Sequence, residues 1–537
     1  MENDEIRGKR AWRVKSEIGN NGDMKRPQLI SQGSLNRMMQ AASEAENRRD
    51  FQQCVEILER ASRLDPANSR ILLDLGGLYG RRFDYAAAEQ SFEKAVRVAP
   101  RKAETLLAAG WRCFIFGNYG MAERYFLRAT EQKPAPPESF VKLAELYERL
   151  RRVDEAAMLI DRALQANNAY APALLARARL DRQAGHLENA ERLLRSIPVT
   201  ADRDTRTRGW YELGSVLDRL GRYDEAMAAF LDAKAVARAD AAPHLAQLKH
   251  SRAKLAELRD SLTPDILQRW FELGQTALQP LHRLALLCGH PRSGTTLLEQ
   301  VLDSHPDIVS AEETEIFHDS AFITLVRGFP NAPLLTILES AQNSILLQSR
   351  ENYFRSAELL LGKAIAGRLL IDKNPVLTLS LPMFLRIFPE TKLLVALRDP
   401  RDVCLSCFMQ PLFPIGMTNS AYLSMEGTVE DYAALMTMYQ TLAPQMQNDC
   451  LEVRYEDMVE DLESSARRTL DFLGVAWNPD VLKFDEHARQ KVVRSPTYAD
   501  VTKPVFKTAV GRWRHYQKYL EPHLETLAPF IKAFGYE

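Results

Sequence analysis

The chain has 537 residues, 46% hydrophobic and 26% charged, a balance that excludes a disordered polymer and a length that exceeds one ordinary domain. Its 70 Lys and Arg nearly cancel its 71 Asp and Glu, so overall charge gives no support to non-specific nucleic-acid binding. The charged opening MENDEIRGKR lacks the apolar centre of a secretory leader, and no stretch reaches the roughly 18 apolar residues of a membrane span, so a soluble, cytoplasmic protein with no membrane or nucleic-acid partner is expected.

Residues 1–31 read as a flexible segment, and from residue 32 the sequence repeats itself. Pro66, Pro100 and Pro134 close the phrases RLDP, RVAP and EQKP at steps of 34 residues. Gly76, Gly110, Ala144 and Ala178 keep the same step, as do Ala88, Ala122, Ala156 and Ala190. This predicts a helix–turn–helix unit whose two backbones approach at the small residues and whose proline follows the second helix. A last copy carries Gly214 and Ala226, and a degenerate first copy covers about residues 34–65, giving about six units over residues 32–240. The period resembles the tetratricopeptide repeat, which implies a stacked superhelix with a groove for an acceptor substrate or partner protein. Residues 241–280 still read helical, as capping and linking helices.

The pattern changes within the final segment, residues 281–537. LALLCGH predicts a short buried strand, and PRSGTTLLEQVLDSHP predicts a turn and then a helix opening at the threonines. Such a turn points backbone N–H groups and the helix dipole at an anion. Gly289 and Gly294 have the G-x-x-x-x-G spacing, but Thr295 and Thr296 stand where a nucleotide hydrolase has Lys and Ser/Thr. Arg292 supplies the charge instead, which suits a phosphosulfate and requires no metal bridge. Further on, TKLLVALRDPRDVCLSCFMQ predicts a strand over 392–397 followed by a helix, with Arg398 closing the strand and Ser406 eight residues later. Arg398 can grip a phosphate bidentately, and a hydroxyl adds a neutral donor. The six cysteines are scattered; Cys404 and Cys407, although spaced C-x-x-C, read as buried thiols on a helix.

Over about residues 284–520 these segments resemble the sulfotransferase superfamily, closest to the tyrosylprotein sulfotransferases. The resemblance implies an α/β P-loop-like domain with a parallel sheet that uses 3′-phosphoadenosine 5′-phosphosulfate as co-substrate and no metal. It assigns Arg292, Ser293, Gly294, Thr295 and Thr296 to the 5′-phosphosulfate, and Arg398 and Ser406 to the 3′-phosphate. It puts Tyr455 near the adenine and Ser495 on a cofactor phosphate; Arg512, where the tyrosylprotein enzymes have lysine, closes over the 3′-phosphate. Lys373, in LLIDKNP, stabilises charge at the bridging oxygen, and Glu313 is the general base, with Glu312 as the fallback. The other reading of these two glutamates is an acidic pair at a helix N-terminus. His305 reads as ordering its turn rather than as a base.

The expected function is sulfuryl transfer to a hydroxyl or phenol, including a protein or peptide tyrosine, with the repeats recruiting the acceptor or a partner. Segments 328–349 and 411–428 are expected to shape the acceptor pocket. Two alternatives remain: a catalytically weak tetratricopeptide scaffold, and a P-loop nucleotide kinase.

Overall fold

A computed structural model describes residues 32–278, 282–329, 332–362, 365, 367–411, 416–446, 449–491, 501–503, 505 and 507–537. Twelve helices from Gln32–Asn47 to Tyr223–Ala237 pair as six antiparallel units. Pro66, Pro100 and Pro134 each follow the second helix of a unit, where the missing N–H breaks nothing. Ala88, Ala122, Ala156, Ala190 and Ala226 are fully buried between paired helices.

The glycines act differently from the expected backbone-to-backbone approach. A Cβ built on Gly76 would lie 2.5 Å from the Phe92 ring, on Gly110 2.6 Å from Phe126, and on Gly214 2.7 Å from Phe230. The absent side chain is thus replaced by an aromatic ring sixteen residues on, which occupies the space over the first helix.

Each unit turns between its helices through a residue with positive φ, and these are Arg49, Phe83, Gly117, Arg151, Gly185 and Gly221. The following N–H bonds back to the last turn of the first helix, as in Asp84 to Tyr79 (3.0 Å) and Arg222 to Leu217 (2.9 Å), which is the hydrogen bond of a Schellman turn. Where glycine would be unstrained, three units carry a large side chain at a cost of about 1–2 kcal/mol each. All three reach outside their own unit. Arg49 pairs with Glu315 at 2.8 Å and with Asp319, Phe83 packs on the large apolar core shared by the last units and the C-terminal half, and Arg151 donates to the carbonyls of Ala488 (2.9 Å) and Lys491 (3.3 Å) at the end of helix Phe484–Gln490.

Arg151 therefore caps a helix in the other half of the chain, and charge-assisted bonds of this kind contribute about 1.5–3 kcal/mol when shielded. Arg151→Gly is expected to relieve the turn strain yet speed amide hydrogen exchange over residues 484–491, with exchange in the repeat helices unchanged. Unchanged exchange over 484–491 would show that Arg151 does not dock the two halves.

Helices Ala242–Ser261 and Pro264–Thr276 lead from the repeats into a five-stranded sheet. Its strands are β1 (Arg283–Gly289), β2 (Ile308–Glu312), β3 (Leu369–Lys373), β4 (Lys392–Leu397) and β5 (Cys450–Arg454). All pairings are parallel, in the order β2-β3-β1-β4-β5. β1, β3 and β4 are almost wholly buried on both faces, as helix-covered parallel strands must be. Both expected layers are present: an all-α repeat superhelix and an α/β domain on a parallel sheet. The strand order reverses at β1, so the carboxyl ends of β1 and β4 flank a crevice, the usual ligand position in open α/β sheets. One apolar core runs from the last units through helix Ala242–Ser261 to the sheet, so the halves are packed rather than tethered. Among the described residues no helix is long and apolar enough to cross a membrane.

Candidate active site

β1 ends at Gly289, which has φ +121° and faces the carbonyl of Ala396 on β4; a Cβ there would come within 2.4 Å of that oxygen. The turn then passes through Arg292 (φ 74°) and Gly294 (φ 92°) and enters helix Thr295–Asp303. Alternating left-handed residues at a helix start point successive N–H groups into one concavity, an anion cradle. Gly294 is required twice: for its φ, and because a Cβ would lie 2.7 Å from the Tyr455 ring. Tyr455 follows β5 as the first residue of helix Tyr455–Glu460, with the Arg398 guanidinium 5.0 Å from its ring centroid.

The two basic segments meet directly. Arg292 Nε donates to Ser406 Oγ at 3.0 Å, and Arg398 donates to the Arg292 carbonyl at 3.3 Å. Arg292, Gly294, Thr295, Thr296, Arg398, Ser406, Tyr455, Arg512 and Glu313 line one cavity of about 880 Å³. Five basic side chains line it against two acidic ones, Asp218 and Glu313. From the expected acceptor segments, Pro411, Asn419 and Tyr422 line it. Ser293 and Lys373 are both buried beneath the turn and neither is among the lining residues. Ser495 lies outside the described residues.

The carboxylates sort themselves by position. Glu312 ends β2, buried, and accepts from Gln300 at 2.9 Å. Glu313 follows in a positive-φ conformation (39°), with its N–H bonded to the Lys373 carbonyl at 2.7 Å and its side chain one-third exposed. Neither glutamate starts a helix: the pair closes a strand that the sequence reading missed, and the helical turn begins only at Phe317. Strain of this kind concentrates at functional positions.

Lys373 is fully buried beneath the cavity, with its ammonium 2.6 Å from Glu313 Oε1 and 3.2 Å from Glu299 Oε2. Burial works against its charge, but Glu299 and Glu313 more than compensate and hold its pKa above the usual lysine range. Burial conversely pushes the Glu299 carboxyl up, against the pull of Lys373.

Under the turn, His290 is buried with Nε2 3.5 Å from Asp431, which also accepts from Arg252 on helix Ala242–Ser261. Burial disfavours protonated His290, yet the Cys407 sulfur and the Asp431 carboxylate outweigh it and raise its pKa to about 10. His305 accepts from the Asp307 N–H (3.1 Å) and contacts the Ala476 carbonyl (2.9 Å), so it orders its turn as expected. Cys404 and Cys407 are buried free thiols on helix Pro400–Phe408.

The sequence reading did not anticipate Asp218, Arg219 and Tyr223, which line the cavity from the last repeat. Their only signal was position, on either side of the turn at Gly221.

Comparison with known proteins agrees with this division. Residues 285–479 match the model of the sulfotransferase family, and residues 39–103, 107–172 and 207–240 match tetratricopeptide-repeat models. Protein-tyrosine sulfotransferase 1 of Danio rerio is 28% identical over 262 residues, covering 47% of this chain and 72% of the relative. Its Homo sapiens counterpart is also 28% identical, covering 47% and 70%. An uncharacterized protein of Aquifex aeolicus is 25% identical over 353 residues, and the alignment covers 64% of this chain but only 44% of that protein. Among solved structures, the sulfotransferase domain of the Synechococcus PCC 7002 olefin synthase is 22% identical over 44% of this chain and 90% of that one, with a TM-score of 0.33. The chain thus joins segments that match tetratricopeptide repeats to a C-terminal segment, residues 285–479, that matches the sulfotransferase family.

Proposed function

We propose that the protein moves a sulfuryl group from 3′-phosphoadenosine 5′-phosphosulfate to a hydroxyl or phenol, with a protein or peptide tyrosine as the favoured acceptor class. The observation that carries this reading is the single cavity in which the Arg292–Thr296 turn, the Arg398/Ser406 pair and Glu313 all meet. Its volume falls within the range of nucleotide and drug-sized sites. The turn offers main-chain N–H groups and hydroxyls but no Lys-Ser/Thr for a magnesium-bridged γ-phosphate. Among the described residues no cluster of His, Cys, Asp and Glu is placed to hold a metal.

On this reading Arg292, Thr295, Thr296 and the turn amides orient the phosphosulfate. Arg398, Ser406 and Arg512 grip the 3′-phosphate, Tyr455 borders the adenine, and Ser495 contacts a cofactor phosphate. The acceptor oxygen attacks sulfur as the bond from sulfur to the bridging oxygen breaks, and the acceptor proton passes to Glu313. The electron pair of the broken bond stays on the departing phosphate, whose charge the turn and Lys373 offset, in the manner of phosphoryl transfer. Lys373 also fixes one Glu313 oxygen, leaving the other for the proton. The likeness to protein-tyrosine sulfotransferases favours a peptide acceptor, and a groove in the first three repeats, lined by Asn36, Met39, Asp74 and Arg112, offers a place to recruit one.

Nucleotide-dependent melting tests the reading. Adenosine 3′,5′-bisphosphate should raise the melting temperature, by about 2.7 kcal/mol of apparent stability at a hundredfold excess over Kd. ATP with magnesium should not. The reverse preference would favour a nucleotide kinase and overturn the sulfotransferase reading.

A further inference from the structure

We propose that the last tetratricopeptide unit is part of the nucleotide site itself, with Asp218 as the positioning residue for Arg512; this rests on the sulfuryl-donor reading above. The repeats would then have a second task beyond recruitment, that of completing the pocket in which the donor is held.

Asp218 lies near the end of helix Arg203–Arg219 and lines the same cavity as Arg292 and Arg398. Its Oδ2 meets the Arg512 guanidinium at 2.6 Å, and its Oδ1 accepts the Tyr516 hydroxyl at 2.6 Å. Tyr223, just past the turn, stacks on His515 with ring centroids 4.3 Å apart and planes 13° apart. Asp224 accepts from Lys518 at 2.8 Å.

The transferase half grips the same stretch from the other side. Asp402 accepts the N–H groups of Gly511 (2.7 Å) and Trp513 (2.8 Å), and Arg401 lies 4.0 Å over the Trp513 ring. Asp402 thus fixes the backbone on both sides of Arg512, while Asp218 fixes its head group. The Asp218 contact is made through one terminal nitrogen of a guanidinium with five N–H donors, and the Arg512 side chain is one-third exposed. A long, rotamer-rich side chain is thereby held at the cavity before the nucleotide arrives, which lowers the ordering cost of binding.

The repeat fold does not itself require an acid at this position. The residues three before each left-handed turn in the other units are Glu46, Gly80, Phe114, Glu148 and Arg182. Where an acid recurs it can serve the repeats, as Glu148 pairs with Arg179 at 2.5 Å, whereas Asp218 meets Arg512 and Tyr516 of the other half. The paired side chains are 294 residues apart in the sequence, so only the docking of the two halves brings them together.

A double-mutant cycle in the full chain tests this, using calorimetric titration with adenosine 3′,5′-bisphosphate and the melting temperature as the check on folding. Asp218→Asn should raise Kd roughly tenfold. Arg512→Ala should raise it at least as much, and adding Asp218→Asn to Arg512→Ala should change nothing more. Asp218→Glu, which keeps the charge, should recover part of the affinity and exclude a purely structural loss. The inference fails if Asp218→Asn binds as tightly as wild type or tighter, which would make Asp218 a competitor of the phosphate. It fails equally if the loss persists in the Arg512→Ala background. Wild-type chain that takes no bisphosphate would instead overturn the donor-site reading, an outcome separate from wild-type binding that Asp218→Asn leaves untouched.

Discussion

Glu313→Gln is expected to lower sulfuryl transfer by about 10²- to 10⁴-fold in kcat, the usual contribution of a positioned general base, while adenosine 3′,5′-bisphosphate still binds. The substitution keeps the volume of the side chain and removes its charge. Glu313 lines the cavity, its backbone is held at positive φ, and its amide is fixed by the Lys373 carbonyl at 2.7 Å. That anchorage is main-chain and survives the change. Lys373 also keeps a partner, since Glu299 lies 3.2 Å from its ammonium. Loss of rate without loss of nucleotide affinity is therefore the signature sought, measured by transfer of labelled sulfate from the donor to a peptide or lysate fraction. Full activity in the folded variant would remove Glu313 from the role. The matching change at Glu312, which is buried against Gln300, should disturb stability more than chemistry.

Lys373→Met should destabilise the protein strongly, by about 3–5 kcal/mol where Glu299 is ionised. The side chain is fully buried, and its removal leaves Glu299, also fully buried, without its cation. Burial raises the Glu299 carboxyl already, and without Lys373 it would rise further. An acid whose folded pKa lies above its unfolded value near 4.3 binds more protons folded than unfolded between those two values, so stability falls as pH rises through that window. Wild type shares that fall up to its own folded Glu299 value of about 8, so the penalty of Lys373→Met should be flat below pH 8 and grow as pH rises above it. Adding Glu299→Gln should restore much of the loss, because a neutral amide can remain where an unpaired carboxylate cannot. Denaturant melts of the wild type and of the single and double variants at pH 7 and pH 9 measure this. A penalty independent of pH, or untouched by Glu299→Gln, would show that lost packing rather than stranded charge sets the cost.

Much of the architecture could be read before any fold was known, because it is written in local chemistry. The 34-residue step, the apolar runs of β1 and β4, and the Gly-bearing turn after β1 are features of neighbours in sequence. β2, like β3 and β5, is only five residues long and carries charged groups, so little in its own letters marks it as a strand. It becomes one through pairing with β3, where Glu312 stands opposite Lys373. That register explains why Glu313 and Lys373 meet, which the resemblance placed in one site without giving the contact.

The sequence by itself determined the two kinds of layer and the order of the Gly-bearing turn after β1 and the Arg398 segment after β4, since period, turn chemistry and charge are properties of short stretches. Only the tertiary structure decided that Arg49 and Arg151 turn outward from strained corners to meet the other half of the chain, and that Asp218 faces Arg512. Those contacts join residues hundreds of positions apart, and their partners are selected by how two packed surfaces meet, which no local pattern encodes.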